Sequence, residues 1–164
     1  MANKTTFTGF VRSNGGDQDR ITYAGSIPMV AQFYVANAVA STADVQISST
    51  NTNPVILPEG AIVDFVLSAG GATGGSSPTI DLGVVDYDGG TDVVDTDGLA
   101  NEMRSDIGAR IDTSSGQAGA LVTGQTKFTE KVKVTATVGA SAPTGGTVSG
   151  VIYYHIQDDG TQSS

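Results

Sequence analysis

Between Glu130 and Val138 the chain alternates without a break. Val132, Val134, Ala136 and Val138 interleave with Lys131, Lys133, Thr135 and Thr137. A two-residue period places one set on each face of an extended strand, one face apolar and the other wet. A second run, Thr147–Ile156, puts Val148, Gly150, Ile152, Tyr154 and Ile156 on one face. The link Gly139-Ala-Ser-Ala-Pro-Thr-Gly-Gly146 separates the two runs and predicts a long antiparallel hairpin. A strand with one apolar face must bury that face against a second layer, so these residues commit the C-terminal third to a packed sheet.

The same signals recur upstream. Met29–Ala38 reads as a strand, with Thr42–Ser48 as its antiparallel partner. Ala61–Leu67 is apolar on both faces except at Asp64, as in a strand interior to a two-layer sandwich. Leu57-Pro-Glu-Gly60 introduces it with a turn set by Pro and Gly. Residues 68–77 form a Gly/Ser/Ala loop, and Thr79–Val85 is the next strand. Residues 86–112 are the least strand-like part; Leu99, Met103 and Ile107 recur at a spacing of four behind Asp97, predicting a short helix near 98–107 with Asp97 as its cap. Several short strands separated by Gly, Pro, Asn and Asp turns predict an all-β fold. The expected architecture is an antiparallel β-sandwich, jelly-roll-like, carrying an extended N-terminal arm. The domain reading is arm or edge strand 1–28, sandwich 29–157 and polar C-terminal tail 158–164.

Composition supports this and removes several functions. Twenty-two glycines accompany abundant Thr, Ser and Val, while only 15% of residues are charged. Eight basic residues oppose seventeen acidic ones, for a formal charge of −9. The basic residues are scattered, so the clustered cations that displace counterions from nucleic acid are missing, and an anionic membrane surface would repel the chain. No apolar run approaches the roughly 20 residues needed to cross a bilayer. The start lacks the charged and apolar regions of a secretory signal, which predicts synthesis in a reducing cytoplasm. With no cysteine, disulfides and thiolate metal sites are excluded.

Candidate chemistry concentrates in Asp86-Tyr-Asp-Gly-Gly-Thr-Asp-Val-Val-Asp-Thr-Asp-Gly98. Calcium takes six to eight oxygen ligands, and Asp86, Asp88, Asp92, Asp95 and Asp97 are the carboxylates such a loop would offer. Two readings stand: a bound cation, or turn chemistry in which Asp side chains bond nearby backbone amides. The Asp-x-Asp-x-Asp-Gly order and terminal Glu of a helix-loop-helix calcium site are missing, which favours turn chemistry and no cofactor. His155 is the sole histidine, too few for zinc, and no Gly-x-Ser-x-Gly elbow presents a nucleophile to it. Packing on its strand, beside Tyr153 and Val151, is the better assignment. The chain has no Trp and 6% aromatic residues, poor equipment for stacking sugar rings, which argues against a glycosidase. The expectation is a protein that is not an enzyme.

The opening, Met1-Ala-Asn-Lys-Thr-Thr-Phe-Thr-Gly-Phe-Val-Arg-Ser-Asn-Gly-Gly16, joins a short strand-like run to a Gly hinge. It resembles the start of virion structural proteins of marine tailed phages, especially those infecting cyanobacteria. The shared elements are Met-Ala-Asn, a Thr-Thr-Phe-Thr-Gly core and Val-Arg-Ser; Phe10 stands where that pattern often has proline. Looser echoes follow at residues 57–61, 82–92 and 151–154.

The resemblance implies a capsid decoration or cement protein on the outside of the head shell. Its implied partners are the major capsid protein and sister chains, with a trimer favoured. Thr6, Phe7, Phe10, Val11 and Arg12 are the expected attachment residues, because a strand on a hinge can add to a neighbour's sheet edge. Two alternatives remain open. One is a receptor-binding knob or fibre domain, of the head or the tail, using loops 68–78 and 86–98. The other is a calcium-dependent adhesion module.

Overall fold

A computed structural model describes residues 28–36, 43–74, 76–89 and 94–156. The attachment candidates Thr6, Phe7, Phe10, Val11 and Arg12, the 1–27 portion of the arm and the tail 158–164 lie outside them. The strands are β1 (Pro28–Val35), β2 (Ala43–Asp44), β3 (Ile56–Leu57), β4 (Ala61–Ala69), β5 (Ala72–Thr73) and β6 (Thr79–Asp86). They continue as β7 (Val94–Arg104), β8 (Ala109–Asp112), β9 (Val132–Val138), β10 (Gly145–Gly146) and β11 (Val148–Ile156), with one helical turn, α1 (Ala120–Thr123), before β9.

Two antiparallel sheets stack. The first has the order β1-β11-β4-β8; the second has β2-β9-β6-β7, with β3 also on β9. A two-stranded ribbon of β10 and β5 lies apart. The first strand pairs with the last, β2 with β9, β4 with β8, and β6 with β7. Among the described residues these four pairs nest about a tip at β6–β7 and alternate between the two layers, with the β5–β10 pair outside the nesting. That is the antiparallel all-β sandwich expected from the sequence.

Alternation builds the core. Phe33, Val63, Val66, Ile111 and Ile152 from one sheet meet Ile80, Leu82, Val84, Met103 and Val134 from the other in a single buried cluster. Asp64 is the extra residue of a β-bulge, since Tyr153 pairs with Phe65 while Tyr154 pairs with Val63. The predicted turn before β4 is present: the Ala61 amide bonds the Pro58 carbonyl at 3.2 Å, and Gly60 supplies the φ of +81° that a side chain would resist.

Three expectations are corrected. First, residues 98–107 are not helical; 94–104 form β7. A spacing of four is even, so Leu99 and Met103 fit a two-residue period as readily as a helical one. Both are buried in the strand, while Ile107 is exposed beyond it. Second, β9 and β11 do not form a hairpin. They lie in different sheets, and the 139–147 link crosses between layers instead of reversing within one. Third, among the described residues, the 43–48 segment bridges the first strand at Tyr34 and Gln46, which exchange both backbone hydrogen bonds. Along its whole length β1 pairs with β11.

Candidate functional site

The predicted acidic set is only partly brought together. Asp86 ends β6 with its side chain inward and buried, whereas Asp88 sits in the exposed turn that follows. Asp92 lies outside the described residues. Asp95 and Asp97, two apart on β7, fall on the same side of the strand and share a side-chain hydrogen bond. Among the described residues, no group of three or more His, Asp or Glu side chains is arranged to hold a metal ion.

Two acids that the sequence did not single out join this region from other directions. Asp81 on β6 accepts the Glu102 backbone N–H at 2.6 Å. Glu102 on β7, at a left-handed φ of +53°, is the more heavily bonded. Its Oε2 accepts the Thr79 hydroxyl at 2.5 Å, and its Oε1 accepts the Ala140 amide at 2.7 Å. Its carbonyl receives the Gln117 side-chain amide at 2.9 Å. One residue therefore ties β6, β7, the 117 segment and the loop after β9. No sequence signal marked it, because its side-chain partners Thr79 and Ala140 lie 23 and 38 residues away along the chain.

The electrostatics of this face follow from crowding. Burial pushes the Asp81 carboxyl above the ordinary carboxylate range, and the Glu102 and Asp97 charges push the same way against its backbone hydrogen bond. Burial also raises Asp95, helped by its hydrogen bond to Asp97. A carboxyl raised in the folded state adds stability that is complete below its unfolded pKa, about 4. That stability is lost as pH rises through the folded value. Asp95→Asn is therefore expected to raise the melting temperature at pH 7, with the gain shrinking toward pH 4, as thermal scans at the two pH values would report. Asp106 and Asp112 behave oppositely. Arg104 bonds and lowers Asp106, and the Ser114 hydroxyl followed by Arg110 lowers Asp112, so their contribution disappears on acidification. Near this face, on β9, Thr135 is buried and its hydroxyl has no hydrogen-bond partner.

The outer face of the first sheet has a different chemistry. Val30, Tyr153, Phe65 and Asp112 are aligned across β1, β11, β4 and β8, and Gln32, Val151, Leu67 and Arg110 form the next row. Phe65 and Tyr153 stack with centroids 4.4 Å apart. The Arg110 guanidinium lies 3.8 Å over the Phe65 ring and bonds Asp112 at 3.0 Å. Aimed outward by the bulge, Asp64 meets His155 Nδ1 at 2.9 Å. The sequence placed His155 with Tyr153 and Val151 on this strand but could not foresee its carboxylate partner.

Comparison with known proteins finds no family whose description matches, and no curated protein matches. Among solved structures the chain is similar to one from the "Cyanophage Pam1 capsid asymmetric unit", at 20% sequence identity and a TM-score of 0.44. The alignment covers 95% of this chain and 99% of that chain. Among the described residues no helix is long and apolar enough to cross a membrane.

Proposed function

We propose that this chain is a structural component of a tailed-phage virion, attached outside the head shell as a decoration or cement protein. The observation that carries this reading is the opening run Thr5-Thr-Phe-Thr-Gly-Phe-Val-Arg-Ser13, which resembles the start of such proteins and precedes an all-β double sheet. A packed sandwich offers broad outward faces, and a preceding strand on a Gly hinge can add to the edge of a neighbouring sheet. Repetition on a lattice multiplies weak contacts by effective concentration. In this reading the partner is the major capsid protein, Thr6, Phe7, Phe10, Val11 and Arg12 make the attachment, and the protein transforms no substrate.

The test is location and occupancy. Immunogold electron microscopy of intact particles should place the protein over the head. Deleting residues 1–16 should lower shell occupancy at least about tenfold through lost multivalency, with the melting transition retained. Label on the tail, or unchanged occupancy, overturns the reading. Tail label would favour a receptor-binding knob, for which the exposed Tyr87 and Val94 at the tip of the β6–β7 hairpin would supply the contact.

The calcium-adhesion alternative has its own measurement. Asp86 is buried and Asp95 bonds Asp97, so excess calcium or chelator is expected to leave the melting temperature unchanged. A rise of several degrees with calcium would restore a cation to the 86–97 loop.

A further inference from the structure

We infer that the outer face of the first sheet is a docking surface for a second copy of this chain. The two outer faces of the sandwich differ in kind. That of the second sheet carries Lys133, Thr137 and the crowded acids Asp81, Asp95 and Asp97, with Lys133 standing between its exposed apolar side chains Ile56 and Val94. That of the first sheet presents Val30, Val151, Tyr153, Phe65 and Leu67 side by side on three neighbouring strands. Val30 is 51% exposed there. An aromatic stack capped by an arginine, with aliphatic neighbours, is the composition that dominates binding energy at protein interfaces.

Charge selects the occupant. The chain carries −9, so copies repel over most of their surface. On this face Asp112 forms an ion pair with Arg110, and Asp64 shares a hydrogen bond with His155. A basic partner would be drawn to the acids of the second sheet instead. A copy carrying the same net charge docks most readily where the local charges are already paired, as Arg110 and Asp112 are on this patch. Such docking makes pairs, where the sequence reading favoured three chains, and it does not depend on the protein belonging to a virion.

The test is sedimentation velocity on the full chain across a range of concentrations, from about 0.05 M to about 0.5 M salt. A two-chain species is expected, with a dissociation constant that holds or falls as salt screens the like net charges. Val30→Asp and Arg110→Ala should each raise that constant at least about tenfold. Val94→Asp, at a side chain 52% exposed on the second sheet, should leave it unchanged. The chain has no tryptophan, so Tyr153→Trp supplies a single indole whose emission should shift blue as pairs form, a readout independent of the two disruptive variants. A one-chain species at every concentration overturns the proposal, whether residues 1–27 or another protein covers the face. Equal weakening by Val94→Asp, or tenfold weakening by salt, overturns it as well.

Discussion

Gly150→Val is expected to destabilise the protein by about 3 kcal/mol or more, a fall in melting temperature on the order of 6–12 °C for a chain of this size. Gly150 lies on the inward face of β11, the strand flanked by β1 and β4. An added Cβ would stand 2.1 Å from the Leu67 carbonyl oxygen and 2.6 Å from the Phe33 ring. The carbonyl belongs to the neighbouring strand and can retreat only by breaking register; the ring is fully buried and has nowhere to turn. Phe33→Ala alone should cost about 3–5 kcal/mol, as expected for emptying a core phenylalanine site. The double variant should then be less unstable than the sum of the two, because the cavity left by Phe33 accepts the new side chain. Calorimetric melting of all four proteins measures the coupling. Strict additivity would mean that the ring does not confine position 150.

Glu102→Ala is expected to cost about 2–3 kcal/mol, on the order of 4–12 °C in melting temperature. The substitution removes the carboxylate acceptor of both the Thr79 hydroxyl and the Ala140 amide, and hydrogen bonds to a charged acceptor are the stronger kind. It also leaves a Cβ-bearing residue at φ +53° without the contacts that hold it there. Glu102→Gln keeps the shape, since its amide oxygen can accept from Ala140 and its amide nitrogen can donate to the Thr79 hydroxyl. Less than half of the alanine loss is expected. If glutamine and alanine are equally damaging, the charge itself holds the clamp; if both are silent, the clamp contributes nothing.

What could be read from the sequence was local. The strand at 132–138 announced itself by an unbroken two-residue alternation, and that at 148–156 by an apolar residue or glycine at every second position. Their partners did not, since alternation says which face is buried and nothing about which strand lies alongside. The hairpin expected between them fails for that reason. The helix expected near 98–107 fails because Leu99 and Met103 satisfy two periods at once, and the strand wins through its long pairing with β6. The chemistry most worth testing was the least legible. Glu102 meets Thr79 and Ala140 across 23 and 38 residues of chain, and Asp64 meets His155 across 91. Bulges, not spacing, bring those side chains into register.

The place of β11 in the first sheet has a consequence for biosynthesis. Between β1 and β4 lies a strand made after both of them, so those two portions of the layer have no hydrogen-bonding neighbour to join them until residues 148–156 have been translated. Pairing over so long a stretch of chain makes for slow acquisition of the native state. A nascent chain stalled short of residue 148 would expose the apolar sides of β1 and β4 together, and would be a substrate for chaperones or a seed for precipitation.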